Sequence, residues 1–578
     1  MIIKPQFNQS DIPLSEYPRP QFKRDSYFSL NGAWEYAITG GEEVTFYDGE
    51  ITVPYSPETN LSNVNRALGK TEVLHYRKAF TLPEGFIKSR VLLNFGAVDQ
   101  VCKVYVNGSL VCENKGGYLP FTADVTDYLR KDENELTLSV WDDADSDIFG
   151  RGKQRYDRGG IWYTPTSGIW QSVWLESVPD KYVKSVKLTP DYDNKLLCIE
   201  AKTVGDLPIK VEVLDENGVI SVAEIDKKGA LDVSTCKEWT PDSPELYTVK
   251  LYCGDDIVES YFGLRKFSAE IINGKRVFTI NNKPVFHNGL LDQGYYEGGA
   301  YTPKSNEVMY NEILSVKNLG YNMLRKHIKV EPLLWYYYCD ILGVLVWQDM
   351  INGGGRYSPV RIALAPFINL HINDNNYKKM KRSEQSRKQY FVEAYGLIDT
   401  LYNCVSLCLW TPFNEAWGQF DALNVWKELS SYDPTRLYDH ASGWQDKGGG
   451  DLNSRHIYFR KARIKGDGKR VLALTEFGGY SLKINGHTFS KKTFGYKTFK
   501  TKEKLTQAIE KLYEDEVIPL IYKQGLCATV YTELTDVEDE INGLFTFDRL
   551  LKVDGDRIKN LNAKVNEAFS SQFGIKEQ

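Results

Sequence analysis

The chain lacks the features that mark membrane, secreted and zinc-binding proteins. No run of about 18 apolar residues occurs, and the first ten residues hold no apolar signal core, so we expect neither a membrane span nor a secretory leader. Its nine cysteines are scattered, with no Cys-x-x-Cys pair and no Cys/His cluster. We therefore predict no metal and no cofactor, and reduced thiols in a cytoplasmic protein are the default expectation.

Charge of one sign is not in large excess either. The formal net charge of −6 at pH 7 gives no reason to expect nucleic acid or a membrane surface as a partner. Aromatic side chains are plentiful, at 13% of residues. They suit stacking on sugar faces, but β-sandwich cores use them as well. The sequence leaves the oligomeric state open, and a homo-oligomer is allowed.

The hydrophobic pattern changes along the chain and predicts three domains, because 578 residues exceed what one core organises. Residues 1–178 and 179–266 alternate short strands with turn residues, which predicts two all-β sandwiches, the second of immunoglobulin-like size. Residues 267–578 alternate apolar strands with helical stretches. Eight such strands predict a (β/α)₈ TIM barrel, with a long insert at residues 351–382 in one of its loops.

Two of the predicted barrel strands end in a carboxylate. The apolar run 405–410 leads through Pro412 to Asn414 and Glu415, and the run 471–475 leads to Glu476. Barrel enzymes place catalytic groups at the carboxyl ends of their strands. Glycoside hydrolysis needs two facing carboxyl groups, so these glutamates are candidates for such a pair. Glu415 would otherwise only cap the next helix.

With these residues in view, the chain resembles glycoside hydrolase family 2, the β-galactosidase and β-glucuronidase group. The resemblance rests on the segments 29–34 (Ser-Leu-Asn-Gly-Ala-Trp), 262–266 (Phe-Gly-Leu-Arg-Lys), 322–325 (Asn-Met-Leu-Arg), 414–415 (Asn-Glu) and 475–478 (Thr-Glu-Phe-Gly). It implies a jelly-roll domain of the sugar-binding type, an immunoglobulin-like sandwich and a catalytic barrel. It further implies that Glu415 is the general acid/base, that Glu476 is the nucleophile and that Asn414 holds the sugar 2-hydroxyl.

The resemblance also points to supporting residues. Arg325 would orient the nucleophile, and the Tyr458 hydroxyl, in a His-x-Tyr pattern with His456, would bond it. His327 is a candidate for a sugar hydroxyl, although the usual histidine of the family is spaced differently. The remaining pocket candidates, each of which could equally be a core residue, are His287, Asp292, Trp347, Asp349 and Tyr531.

Three departures from the family pattern concern the sugar rather than the reaction. The first strand has a sequence beginning at His287 where an asparagine–glutamate motif is usual, and the eighth lacks the commoner tryptophan pattern. Leu544 stands where similar glucuronidases have a lysine for the sugar carboxylate. We expect a retaining exo-β-glycosidase that acts on β-glycosides, most simply a β-galactosidase. The alternatives are a β-glucuronidase, an arabinosidase, or a carbohydrate-binding protein without catalysis. Arg356 is the residue best suited to restore a carboxylate site.

Overall fold

The computed structural model describes residues 5, 7, 10–355 and 372–574. Arg356 and half of the 351–382 insert, residues 356–371, therefore lie outside the described residues. The predicted fold class, a multidomain β and α/β protein with a barrel, is confirmed. The narrower description of the first sandwich as a jelly roll stays a prediction.

Two antiparallel sheets form the first sandwich around one apolar core. Strands with alternating buried residues, such as Asn134–Trp141, turn one face to that core. In spatial order the six-stranded sheet contains Gly49–Val53, Gly32–Thr39, Val73–Phe80, Asn134–Trp141, Val101–Val106 and Ser109–Lys115. The four-stranded sheet contains Phe28–Ser29, Val173–Val178, Arg90–Phe95 and Phe121–Asp124, and a short pair joins Val98–Asp99 with Gly168–Ile169.

The second sandwich has its own core between a three-stranded and a four-stranded antiparallel sheet. The smaller sheet contains Tyr182–Asp191, Leu196–Val204 and Lys228–Asp232. The larger contains Gly218–Ile225, Ile209–Asp215, Tyr247–Cys253 and Asp256–Phe262. A small sheet of Phe267–Ile272, Lys275–Ile280 and Lys283–Pro284 then leads into the barrel.

Eight parallel strands form the barrel sheet, the number predicted from the sequence. We label them β1 (His287–Asp292), β2 (Met323–Lys326), β3 (Leu345–Asp349), β4 (Leu407–Thr411), β5 (Leu437–Tyr438), β6 (Leu452–Ile457), β7 (Val471–Gly478) and β8 (Leu526–Thr532). Strands β3, β4 and β7 are buried along their whole length. Strands buried on both faces have continuous apolar runs, which is why the sequence pattern revealed them. Strand β6 begins at Leu452, four residues before His456 of the His-x-Tyr pattern.

Helices cover the outside of this sheet. They span Asn306–Asn318, Leu333–Leu342, Tyr377–Met380, Glu384–Leu401, Ala422–Tyr432, Lys502–Leu512, Ile518–Gln524 and Gly555–Phe573. A π-helical turn, Tyr513–Val517, joins two of them just before Pro519, whose ring nitrogen cannot donate to a helical carbonyl. In the described part of the chain, no helix is both long and apolar enough to cross a membrane.

Candidate active site

The two candidate catalytic carboxyls meet at the carboxyl ends of the barrel strands. Glu476 lies near the end of β7, and Glu415 follows β4 in a turn with left-handed backbone, at φ 52°, continued by Ala416 at φ 63°. The Glu415 N–H donates to the Ser442 carbonyl at 2.9 Å, which fixes this turn. Left-handed non-glycine residues are costly and are concentrated at functional sites. The turn therefore aims Glu415 across the barrel mouth instead of along the next helix.

A histidine lies between the two carboxyls. His456 Nδ1 is 2.8 Å from Glu415 Oε1 and 3.4 Å from Glu476 Oε2. One carboxylate oxygen of each glutamate and the His456 nitrogen all lie within 4.8 Å of one another. The Nε2 atom of His456 is 3.1 Å from the Ser442 hydroxyl, so the ring is held at both nitrogens. The three side chains therefore lie close enough together for the ionisation of one to affect the others.

Arg325, on β2, connects the nucleophile candidate to its neighbours. Its guanidinium donates to Glu476 Oε1 at 3.3 Å and to Asn414 Oδ1 at 2.9 Å. It also makes a two-pronged pair with Asp349, at 3.0 and 3.1 Å. Its side chain is fully buried. A buried guanidinium needs such compensation, and the planar fork fixes the directions of all three acceptors.

The environments of the two glutamates shift their pKa values in opposite directions. Burial and then the nearby negative charge of Glu476 raise the pKa of Glu415. Burial also raises the pKa of Glu476, but His456, Arg325, His327 and Tyr458 outweigh it and leave that pKa below its ordinary value. At neutral pH Glu476 is therefore the ionised member of the pair, and Glu415 is the member that retains a proton to higher pH.

Two further predicted residues complete this cluster. The Tyr458 hydroxyl donates to Glu476 Oε2 at 2.5 Å and lies 3.0 Å from the Thr532 hydroxyl. His327 Nδ1 lies 2.6 Å from Asp349 Oδ2. Burial, followed by the nearby Lys153 charge, lowers the pKa of His327 to about 4. The His327 ring is therefore neutral at neutral pH, and Asp349 holds its orientation.

Four predicted pocket residues are not brought to the carboxyl pair. His287 is the first residue of β1, at the opposite end of the barrel, where it stacks on Phe278 and accepts a 3.0 Å bond from Trp347. Burial there lowers the pKa of His287 to about 3. These rings fill the barrel interior, so our interpretation of His287 and Trp347 as sugar contacts is corrected to a core role.

Asp292 and Tyr531 lie on the other face of their strands. Asp292 pairs with Lys326 at 2.5 Å, in register across β1 and β2, on the face opposite Arg325. Tyr531 packs edge-on against Phe477, and its hydroxyl accepts a bond from the backbone N–H of Tyr480. Because side chains alternate along a strand, both point away from the barrel interior. Their predicted contact with substrate is corrected to packing between sheet and helices.

The structure also adds residues that sequence reasoning missed. Tyr496 stacks on Tyr458 at a centroid distance of 4.0 Å. Lys153, from the first sandwich, lies near the Trp417 ring, and Glu533 follows β8 directly. Nothing in the local pattern marks Lys153 or Tyr496. Glu533 had a signal, since it is a third carboxylate directly after an apolar barrel strand.

The Glu415–His456–Glu476 group also has the donor atoms of a metal site. However, both oxygens of Glu476 already accept from protein donors, Arg325 on one side and Tyr458 on the other. A cation ligated by Glu476 would compete with the Arg325 guanidinium 3.3 Å away. The arrangement is therefore better suited to proton transfer and nucleophilic attack than to holding an ion.

Comparisons with known proteins point to glycoside hydrolases. Residues 47–179 match the family model described as "Glycosyl hydrolases family 2, sugar binding domain". A β-galactosidase of Thermoanaerobacter pseudethanolicus is 29% identical over 353 residues, which cover 57% of this chain and 44% of the relative. A putative β-glucuronidase of Formosa agariphila is 27% identical, over 59% of this chain and 43% of the relative. These matches make the chain similar to glycoside hydrolase family 2, with its sugar-binding domain at residues 47–179.

Solved structures extend the similarity in fold to nearly the whole chain. The β-glucuronidase of Ruminococcus gnavus superposes with a TM-score of 0.75 at 18% identity, covering 96% of this chain and 99% of that one. A β-galacturonidase of Eisenbergiella tayi superposes with a TM-score of 0.70, also at 18% identity, over 95% and 98%. By contrast, the matched part of the chain spans less than half the length of the two curated relatives.

Proposed function

We propose that the chain hydrolyses terminal β-glycosides by double displacement, with Glu476 as nucleophile and Glu415 as general acid and base. The observation that carries this proposal is the pair of carboxyls, Glu476 buried and Glu415 partly exposed, with opposite pKa shifts and oxygens within 4.8 Å. Retaining glycosidases hold their carboxyl groups about 5–5.5 Å apart, and inverting ones about 6.5–9.5 Å. The short separation therefore supports retention of configuration.

In the first step Glu476 attacks the anomeric carbon while the Glu415 carboxyl gives its proton to the glycosidic oxygen. The bond from carbon to the leaving oxygen breaks, and an ester forms between the sugar and Glu476. This removes the Glu476 charge, the second cause of the raised Glu415 pKa. Glu415, which has given up its proton and whose pKa is now lower, remains a carboxylate and takes a proton from water as a general base. The resulting hydroxide-like oxygen attacks the anomeric carbon and releases Glu476.

The neighbouring residues support this division of roles. Arg325 holds both Glu476 and the Asn414 carbonyl oxygen, which leaves Asn414 Nδ2 buried without a partner among the described residues. That N–H is free to donate to the sugar 2-hydroxyl, as the family resemblance implies. Such a bond strengthens as positive charge develops on the ring. The predicted role of Asn414 thus has a donor available for it.

We further propose a neutral sugar, most simply a β-galactoside. The alternatives are a β-glucuronide or an arabinoside, and, in a different class, a carbohydrate-binding protein without turnover. We retain the division into 1–178, 179–266 and 267–578, with the chemistry in the last part. Leu544, where similar glucuronidases have a lysine, is buried in the apolar core.

A panel of nitrophenyl β-glycosides tests the proposal. We expect release of nitrophenol from at least one of them by the wild-type protein and essentially none by Glu476→Gln, with unchanged circular dichroism. The first-formed sugar should have the β configuration by proton NMR. Binding of sugar without turnover would support the carbohydrate-binding alternative, and an α product would refute retention.

A further inference from the structure

A lysine from the first sandwich reaches the mouth of the barrel. Lys153 is 7% exposed, and its ammonium lies 5.6 Å from the Tyr163 ring centroid and 5.8 Å from that of Trp417. Trp417 follows the acid/base candidate Glu415 by two residues. The segment around Lys153 is fixed to the barrel, because the Tyr163 hydroxyl bonds Glu540 and the Thr164 N–H donates to Glu538 at 2.8 Å.

Lys153 differs from the other deeply buried lysines in its lack of a carboxylate partner. Lys326 pairs with Asp292 and Glu331, Lys329 with Glu331, and Lys552 with Asp536, all within 2.9 Å. No described residue accepts a hydrogen bond or ion pair from Lys153 Nζ, which lies beside the rings of Tyr163 and Trp417. An unpaired buried charge is costly, so a retained one indicates a partner that arrives with a ligand.

A second unpartnered group comes from the barrel itself. Glu533 directly follows β8 and is fully buried. Its Oε2 accepts a bond from Gln293 at 3.0 Å, but its Oε1 has no partner among the described residues. Burial and the neighbouring Glu540 charge raise the pKa of Glu533 well above its ordinary value, and Lys153 opposes this shift. One oxygen of Glu533 is therefore available to a ligand.

Both groups lie near the catalytic pair: Lys153 is beside Trp417, two residues after Glu415, and Glu533 follows Thr532, whose hydroxyl lies 3.0 Å from that of Tyr458. The Lys153 charge acts on the pKa of Glu415 as well as on that of Glu533. Burial and the charges of Glu540, Glu415, Glu476 and Glu533 raise the pKa of Tyr496. Salt screens the interaction between two charges over about 8 Å at physiological ionic strength, and screens it less when the charges are buried. Lys153, Glu533 and Tyr496 are thus within electrostatic reach of the carboxyl pair.

We propose that Lys153 and Glu533 together bind the hydroxyl groups of a neutral sugar beside the catalytic pair. Lys153 would donate a hydrogen bond to a sugar hydroxyl, and Glu533 Oε1 would bond a sugar hydroxyl as well. This inference rests on the proposed function and names its substrate class. A hydroxyl both donates and accepts, so it satisfies an ammonium and a carboxyl oxygen at once. The first sandwich would then contribute a specificity-determining residue to the site in the barrel.

A uronic acid suits this space less well. Its carboxylate would enter a cleft that already holds Glu415, Glu476, Glu533 and Glu540. Within the described ranges, Lys153 is the one cation there not already paired, since Asp349 and Glu476 engage Arg325. Like charges at close range disfavour the ionised form of a further carboxylate. Carboxylate sites commonly use a two-pronged arginine, and the one described in this site, Arg325, is already paired with Asp349 and Glu476.

The test measures kcat/KM of Lys153→Met and Glu533→Gln on the best neutral nitrophenyl glycoside of the panel and on its monodeoxy analogues. Loss of a hydrogen bond to a charged group predicts a fall of about 10- to 100-fold for Lys153→Met on the parent sugar. On the one analogue that lacks the bound hydroxyl, wild type and variant should differ by less than about twofold. An equal loss on every analogue would overturn the proposal. The proposal would also be overturned if the wild type had a higher kcat/KM on the aryl uronide than on the neutral glycoside and Lys153→Met removed that difference.

Thermal melting distinguishes a ligand-binding lysine from a structural one. Lys153→Met removes an unpaired buried charge, so its Tm should equal or exceed that of the wild type. The matched control Lys552→Met leaves the buried Asp536 unpaired and should lower Tm. A fall for Lys153→Met as large as the control's would indicate a structural role and overturn the inference. Failure of the proposed function would appear differently, as no turnover of any glycoside or full activity in Glu476→Gln.

Discussion

The bond between Tyr458 and Glu476 offers a quantitative test of how the site sets its ionisation. Tyr458→Phe removes a hydroxyl that donates to Glu476 Oε2 at 2.5 Å and leaves the aromatic ring in place. A hydrogen bond to a charged acceptor contributes about 1.5–3 kcal/mol. One pKa unit corresponds to about 1.4 kcal/mol. Loss of this donor should therefore raise the Glu476 pKa by about 1–2 units.

The assay is the pH profile of kcat/KM on an activated aryl glycoside. Activity needs Glu476 ionised and Glu415 protonated, so the profile should fall below the lowered Glu476 pKa and above the raised Glu415 pKa. In Tyr458→Phe the acid limb should move to higher pH by about 1–2 units. The alkaline limb, which reports Glu415, should move much less.

Tyr496→Phe is the matched control, because Tyr496 stacks on the same ring and no hydrogen bond joins its hydroxyl to Glu476. Its acid limb should stay within about 0.3 units of the wild-type position, whatever happens to the maximal rate. An unchanged acid limb in Tyr458→Phe would refute the argument. So would equal shifts in the two variants, since the effect would then come from ring packing and not from the hydroxyl.

Three other predictions concern the chemistry and the sugar. Glu476→Gln should lower kcat by about a thousandfold or more, because the nucleophile is lost; a variant with a tenth of the wild-type rate would remove Glu476 from that role. Glu415→Ala should harm substrates with poor leaving groups far more than activated aryl glycosides, and azide should restore rate as a glycosyl azide of retained configuration; equal losses without rescue would contradict the assignment. Aryl β-galactoside should exceed aryl β-glucuronide in kcat/KM at one pH, since Leu544 supplies no cation; the reverse preference would make Arg356→Ala the next variant to measure.

The sequence predicted the parts of the fold that depend on local pattern. Continuous apolar runs mark β4 and β7 because these strands are buried on both faces. The position of Glu415 and Glu476 after such runs then placed both at one end of the barrel. Arg325, His456 and Tyr458 came from the family resemblance, and the structure brings all three within hydrogen-bond reach of the pair.

The remaining site residues depended on information that a local pattern does not carry. Alternation separates the two faces of a strand but does not say which face points inward, which is why Asp292 was misplaced. His287 was misplaced because its height in the barrel depends on the exact start of β1. Lys153 reaches the cleft only through packing between distant parts of the chain, where Tyr163 and Thr164 contact the loop after β8.

The central claim is that Glu476 becomes covalently linked to the sugar while Glu415 serves the second step as base. The most direct measurement uses Glu415→Gln with an activated aryl glycoside, since an activated leaving group needs little protonation and loss of the base slows hydrolysis of the intermediate. Intact mass spectrometry followed by peptide mapping should then find one glycosyl group, attached to the peptide that contains Glu476. An adduct on another residue, or turnover of the glycoside with no adduct and an α product, would contradict the mechanism.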